Sequence, residues 1–254
     1  MKKYDTLIFD LDGTLAVSKS PISIEIGELL ADVTKSMNVV IITGGNFDQI
    51  KKQVINRLGK NAFFENFYVL PTSGSSMVEY NVQTKSWDYV YQHDLTSEQK
   101  ERLIQRLESS LAKVSFSITP EQLEGKQIED RGSQLTFSAL GQNQKPEIKE
   151  LWDTNQEKRK EIVSHMRDLQ NEFDINIGGT TSIDITLKGI DKEYGINEFY
   201  KKTSLNISHG LFVGDKIFPG GNDYPATKTG IDYKETSGPE ETMKIIKEVL
   251  GKQN

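Results

Sequence analysis

Short apolar runs bounded by polar turns alternate with amphipathic stretches at both ends of this chain. Leu7-Ile8-Phe9, Asn38-Val39-Val40-Ile41-Ile42, Phe67-Tyr68-Val69-Leu70 and Gly210-Leu211-Phe212-Val213 read as strands of a parallel sheet. Such strands are buried on both faces and so show runs rather than alternation. Helical spacing of apolar positions predicts helices over Ile24–Met37, Asp48–Leu58, Asp191–Lys201 and Pro239–Leu250. This βαβ alternation predicts an α/β fold built on a doubly wound, Rossmann-like parallel sheet. The middle has another texture. From Gln83 to Leu187 two long polar helices, Ser97–Lys113 and Thr154–Phe173, are expected beside alternating strands such as Gln134–Phe137 and Ser182–Thr186. The expected organisation is a core of residues 1–82 and 188–254, interrupted by an inserted α+β module at 83–187.

In an open α/β sheet, ligands sit beyond the carboxyl ends of the strands. The first strand ends in Asp10-Leu11-Asp12-Gly13-Thr14, the second in Thr43-Gly44-Gly45, and the late one in Gly214-Asp215-Lys216, followed by Pro219-Gly220-Gly221-Asn222-Asp223. Buried strands rarely close on two carboxylates, because desolvating like charges is costly unless a cation or a reaction needs them. Asp10 and Asp12 have the same parity, so one carboxylate can attack a phosphoryl group while the other handles the proton. Thr43 and the Gly44 N–H can hold phosphoryl oxygens. Asp10, a carbonyl at Asp12 and Asp215 form an all-oxygen set suited to Mg²⁺. A lysine should neutralise the nucleophile and the phosphate: Lys192 opens a predicted helix at the right place in the order, with Lys188 as the fallback.

Composition narrows the class. A chain of 254 residues with 35% hydrophobic content can bury a proper core, and a net charge of −6 with interspersed Lys and Glu argues against a nucleic-acid surface. The absence of cysteine excludes disulfides and thiolate metal sites and suits a reducing cytoplasm. Lys2 and Lys3 precede an apolar stretch, but Asp5, Asp10 and Asp12 break it short of a signal-peptide core, and no segment approaches membrane-spanning length. A cytoplasmic protein without a membrane partner is expected.

This constellation resembles the haloacid dehalogenase (HAD) superfamily of phosphotransferases, whose four motifs follow in the same order. The insertion is similar to the subclass IIB cap, and the likeness extends over most of the chain to phosphomannomutases of the eukaryotic type. It is carried by Ile128-Glu129-Asp130-Arg131-Gly132-Ser133, by a cap strand similar to Ile177–Asp184, and by the Gly214–Asp223 loop. The resemblance implies Asp10 as nucleophile, Asp12 as general acid/base, Thr43 and Lys192 as phosphate partners, and Asp215 as a Mg²⁺ ligand. It further implies that Asn222 and Asp223 orient the metal shell, that Arg131, Ser182 and Asp184 face a sugar phosphate, and that a homodimer forms through the cap.

Two places departing from that pattern hold Gln142 and Lys149, where the mutases grip the remote phosphate with arginine. Glutamine carries no charge, and lysine lacks the planar fork that binds phosphate bidentately. On that ground the expected activity is hydrolysis of a hexose phosphate, with a phosphomannomutase as the alternative and a non-catalytic sugar-phosphate-binding protein as a third reading. His93, His165 and His209 read as surface or helix-end residues, Trp87, Tyr89 and Tyr91 as one face of a strand, and Glu147–Lys160 as a solvated helix approach.

Overall fold

The computed structural model describes residues 3–17 and 20–251, so Lys2 lies outside the described residues. In chain order, β1 (Thr6–Phe9), α1 (Ile24–Val33), β2 (Asn38–Ile42), α2 (Phe47–Gln53), β3 (Phe67–Leu70), β4 (Ser76–Asn81) and β5 (Ser86–Gln92) come first. They are followed by α3 (Ser97–Leu111), β6 (Ile128–Asp130), β7 (Gln134–Ser138), α4 (Pro146–Trp152), α5 (Glu157–Ser164), β8 (Phe173–Gly178) and β9 (Ser182–Leu187). The chain closes with α6 (Lys192–Thr203), β10 (Gly210–Gly214), β11 (Asp232–Glu235) and α7 (Pro239–Gly251). These elements form two compact units, Met1–Gln92 with Asp191–Asn254, and His93–Ile190.

The first unit is a seven-stranded sheet of order β11-β10-β1-β2-β3-β4-β5, parallel from β11 to β3 and antiparallel at β4 and β5. Residues alternate across it. Leu7, Phe9 and Leu11 join Ile26, Leu30 and Ile246 of α1 and α7 in one core layer, whereas Ile8 joins Ile196 and Phe199 of α6 in the other. Asp10 has the parity of Ile8, so the strand aims it at the α6 face.

Residues 83–92 belong with this sheet, as the turn into β5 and β5 itself, rather than to the insertion, because β4 and β5 pair as a hairpin from Ser76 to Gln92. The alternation of Trp87, Tyr89 and Tyr91 does not put all three on one face. A bulge opposite Met77 and Val78 adds Val90 to the strand. Trp87 therefore packs with Phe47, Phe64, Phe67 and Tyr80, while Tyr91 turns to the other face and donates its hydroxyl to the Gly74 carbonyl at 2.8 Å.

The second unit is an antiparallel sheet of order β6-β7-β9-β8. Leu135 and Phe137 of β7 and Ile183 and Ile185 of β9 pack with Leu103 and Leu107 of α3, Ile162 of α5 and Met166. The helix expected over Thr154–Phe173 is shorter. It ends at Ser164, and Phe173-Asp174-Ile175-Asn176 instead follows the period of two of a strand with one buried face. Ile177–Asp184 is likewise not one strand but a hairpin corner, with β8 ending at Gly178, β9 starting at Ser182 and Gly179 between them at φ 47°.

Candidate active site

Adjacent parallel strands bring the reactive loops of the first unit together. Phe9 of β1 pairs with Val213 of β10 on one side and with Ile41 of β2 on the other. Asp10, Thr43 and Asp215 therefore leave the sheet at nearly the same level on neighbouring strands. Asp10 is tied down by its own N–H, which donates to the Val213 carbonyl at 3.0 Å.

Lys192 is the hub. Its side chain is 2% exposed, and Nζ donates to Asp10 Oδ1 at 2.5 Å and to Asp223 Oδ1. It is the first residue of α6, whose cap Asp191 accepts the Tyr194 N–H at 3.1 Å. A cation in the first turn opposes the helix dipole, and burial opposes any charge, so only the two carboxylates make this placement tenable. Burial works to lower the lysine's proton affinity, but Asp10 and Asp223 outweigh it and hold the ammonium above its ordinary range. Lys188, by contrast, is exposed and belongs to the second unit, where it pairs with Asp174 at 2.8 Å.

Two carboxylates contact the buried ammonium, and a third stands close to both. Oxygens of Asp10, Asp215 and Asp223 lie within 4.8 Å of one another, the grouping of potential metal ligands found among the described residues. Burial pushes the Asp10 carboxyl up, to about 7, against the pull of Lys192 and with the push of Asp223 and Asp215. Burial likewise raises Asp215, with Lys216 opposing and Asp223 adding. Excess negative charge on hard oxygen donors fits a divalent cation. Asp223 is fully buried and both of its oxygens are engaged, Oδ1 by Lys192 and Oδ2 by the Lys216 N–H at 2.9 Å. It therefore orients its neighbours. Asn222 beside it is exposed.

Two glycines make room for these acids. A Cβ on Gly13, which sits at φ 87°, would stand 2.5 Å from Asp215 Oδ2, and one on Gly214 would stand 2.5 Å from Asp223 Oδ2. Asp12 is half-buried and outside the three-carboxylate cluster. Thr14 reaches Asp215 Oδ1 at 3.5 Å. Thr43 is buried, and its loop is pinned by the Ser73 N–H to the Thr43 carbonyl at 2.8 Å and the Thr72 N–H to the Gly45 carbonyl at 2.9 Å; Gly44 lies between these two anchors.

The remaining candidates sit in the second unit. Arg131 donates to Glu129 at 2.8 Å in the turn between β6 and β7. Asp184 and Ser182 lie on β9, where Asp184 Oδ1 accepts from Thr136 Oγ1 at 2.8 Å and from Gln134 Nε2 at 3.0 Å. Gln134 and Thr136 were not anticipated as site residues, although Gln134-Leu135-Thr136-Phe137 carries the signal: its polar positions alternate with core positions and must share a face. Lys149 and Gln142 are in contact. The Lys149 ammonium is buried and donates to the Gln142 carbonyl at 2.8 Å. The reading of 147–160 as a solvated approach holds for most of the stretch, which is exposed, and is corrected at Lys149, Trp152, Asp153 and Arg159, which are buried. Charge-rich composition hid them, because partners from distant β8 and the preceding loop supply what water would otherwise supply.

The model of the family described as eukaryotic phosphomannomutase matches residues 26–252. A phosphomannomutase of Spinacia oleracea is 28% identical over 250 residues, covering 96% of this chain and 94% of that one, and one of Schizosaccharomyces pombe is 26% identical over 255 residues, covering 96% and 93%. Among solved structures, an IMP-nucleotidase of Plasmodium falciparum superposes with a TM-score of 0.69 at 17% identity over 99% of this chain and 70% of that one. A haloacid dehalogenase-like hydrolase of Bacteroides thetaiotaomicron does so with 0.64 at 16% over 97% and 100%. Those structural likenesses speak to the fold. Among the described residues no helix is long and apolar enough to cross a membrane. With acids, lysine and threonine loops gathered at one sheet edge and the family match running nearly end to end, the chain belongs to the eukaryotic phosphomannomutase family of the HAD superfamily and is a phosphoryl-transfer enzyme of the phosphatase or mutase type.

Proposed function

We propose that this enzyme is a Mg²⁺-dependent phosphomannomutase that interconverts mannose 6-phosphate and mannose 1-phosphate through an aspartyl-phosphate on Asp10. The family match over residues 26–252 carries this reading and favours it over the hydrolysis that Gln142 and Lys149 first suggested.

Asp10 attacks the phosphorus of a hexose bisphosphate in line. A bond forms from its carboxylate oxygen to phosphorus as the bond from phosphorus to the sugar oxygen breaks, and Asp12 gives that oxygen its proton. A monophosphate that presents its free hydroxyl to the aspartyl-phosphate gives that hydroxyl's proton to Asp12, its oxygen takes the phosphoryl group as the bond from Asp10 to phosphorus breaks, and the bisphosphate so formed turns end for end to offer its other phosphate to Asp10. Lys192 neutralises Asp10 and the incoming phosphate, and Asp223 holds Lys192 in place. Thr43 and the Gly44 N–H take phosphoryl oxygens. Asp10, Asp215 and the Asp12 carbonyl would hold Mg²⁺, with Asn222 and Asp223 supporting that shell, and the ion would supply charge neutralisation at the phosphoryl group. In the second unit Ser182 and Asp184 would bind sugar hydroxyls, and Arg131 with Lys149 and Gln142 the phosphate that stays. The same resemblance supports a homodimer through this unit.

Hydrolysis remains the second reading because of one observation: where the mutases carry arginines this chain has Gln142, which brings no charge, and Lys149, whose ammonium donates one of its hydrogen bonds to the Gln142 carbonyl. Phosphorus NMR with Mg²⁺ and mannose 6-phosphate, with and without catalytic hexose 1,6-bisphosphate, separates the two. Bisphosphate-dependent appearance of the 1-phosphate without inorganic phosphate is expected. Steady release of inorganic phosphate would overturn the mutase reading and establish a phosphatase.

A further inference from the structure

Among the largest fully buried side chains of this protein is an arginine, Arg159 of α5, with 2% exposure. Most of its donors are spent on named acceptors. Nε donates to Asp153 Oδ2 at 2.7 Å, Nη2 to the Asp153 carbonyl at 3.2 Å, and Nη1 to the carbonyls of Gly178 at 2.9 Å and Gly179 at 3.0 Å. Asp153 is itself held by the N–H groups of Lys158 at 3.0 Å and Arg159 at 3.2 Å. The guanidinium thus bolts the start of α5 to the corner where β8 turns into β9.

That corner abuts Asp184. Gly178 pairs with Ser182, which makes Asp184 its diagonal neighbour on the same face, and a Cβ added to Gly178 would lie 2.3 Å from Asp184 Oδ2. Asp184 Oδ1 is fixed by Thr136 and Gln134. Oδ1 is therefore set by hydrogen bonds, and Oδ2 lies against the bare backbone of Gly178, whose carbonyl is held by Arg159.

We propose that Arg159, with Asp153, is a positioning residue for substrate binding: by anchoring the Gly178–Gly179 carbonyls it sets the place of the Asp184 carboxylate and so the affinity for the polyol part of the substrate. This rests on the assignment of Asp184 as a sugar ligand. Arg159 touches no substrate. A lysine could not replace it, since a point charge cannot reach a carboxylate and two adjacent carbonyls in one plane.

The test is steady-state turnover of mannose 1-phosphate with hexose 1,6-bisphosphate by Arg159→Lys, Gly178→Ala, Asp184→Asn and the Arg159→Lys/Asp184→Asn double variant, with circular dichroism to confirm folding. Arg159→Lys and Gly178→Ala should each raise KM about tenfold and leave kcat within about threefold. The double variant should be no worse in KM than Asp184→Asn alone, an outcome that general loosening of the fold would not produce. Gly178→Ala keeps the test alive if Arg159→Lys fails to fold, because it pushes on Asp184 with the guanidinium intact. If Asp184→Asn raises KM and Gly178→Ala and any folded Arg159→Lys do not, or if the effects multiply in the double variant, the positioning role is wrong. If Asp184→Asn itself leaves KM unchanged, the sugar-ligand assignment fails, and the inference loses its premise.

Discussion

Lys192 in the first unit and Arg159 in the second are cations buried to the same degree against carboxylates, and the two are served very differently. Arg159 in the second unit meets one carboxylate and three carbonyls, an arrangement balanced in charge in which four of the five guanidinium N–H donors are bonded. Lys192 in the first unit meets two carboxylates, Asp10 and Asp223, and a third, Asp215, lies within reach of both with Lys216 only partly offsetting it. A balanced, well-bonded cluster holds a fold in one arrangement. An unbalanced one is kept only where a further cation and a charged substrate complete it. The difference separates scaffold from chemistry without any appeal to which residue is more buried, since both cations are 2% exposed.

The largest effect that could break this comparison is loss of the nucleophile. Asp10→Asn should cut turnover by roughly 10⁴-fold or more while the protein stays folded, measured by steady-state kinetics beside circular dichroism. Full turnover by the folded variant would remove Asp10 from its role. Next come the two cations themselves. Removing one partner of a buried pair costs about 3–5 kcal/mol, so Lys192→Met and Arg159→Met should both destabilise by that order. Hydrogen exchange resolved along the chain should place the first loss in the β1, β10 and α6 segments and the second in α5, β8 and β9. Similar protection losses in both units for either variant would erase the distinction.

The charge imbalance has a thermodynamic signature. Mg²⁺ at a hundred times its dissociation constant should stabilise the protein by about 2.7 kcal/mol, and chelation should reverse it. Asp215→Asn should abolish most of the melting shift, whereas Arg159→Lys should keep it. A shift retained by Asp215→Asn would place the cation elsewhere. The smallest effect belongs to Lys188, whose exposed pair with Asp174 is worth about 0–1 kcal/mol. Lys188→Ala should leave melting temperature and turnover nearly unchanged, and a large loss of turnover would restore it as the active-site lysine.

The reactive loops of the first unit were readable because their chemistry is packed into short segments. Asp10 and Asp12 lie two residues apart, and Gly214-Asp215 and Asn222-Asp223 lie on one loop, so type and spacing were visible together. Lys192 was readable by its place at a helix start after an acidic cap. The second unit hid more. Phe173–Gly178 looked like the end of a polar helix because its alternation is short, and Glu147–Lys160 looked solvated because Asp153 and Arg159 find each other only through the turn into α5, then reach Gly178 across nineteen positions of chain. The aromatic alternation of β5 misled because a bulge changes which face a residue occupies without leaving a mark in composition.

By itself, then, the sequence determined the α/β class, most of the parallel strands, the acids that close them, a choice of lysine between Lys192 and Lys188, and the fact that something is inserted between the second and third motifs. Those follow from local periodicity and from residue types that tolerate burial only in a site. Tertiary structure alone decided that Lys192 rather than Lys188 meets Asp10, that β5 belongs to the first sheet, and that three charged residues of a mostly exposed stretch, Lys149, Asp153 and Arg159, are buried. Each of these depends on long-range partners that offset desolvation, and desolvation is a property of where a charge ends up, which no single segment encodes.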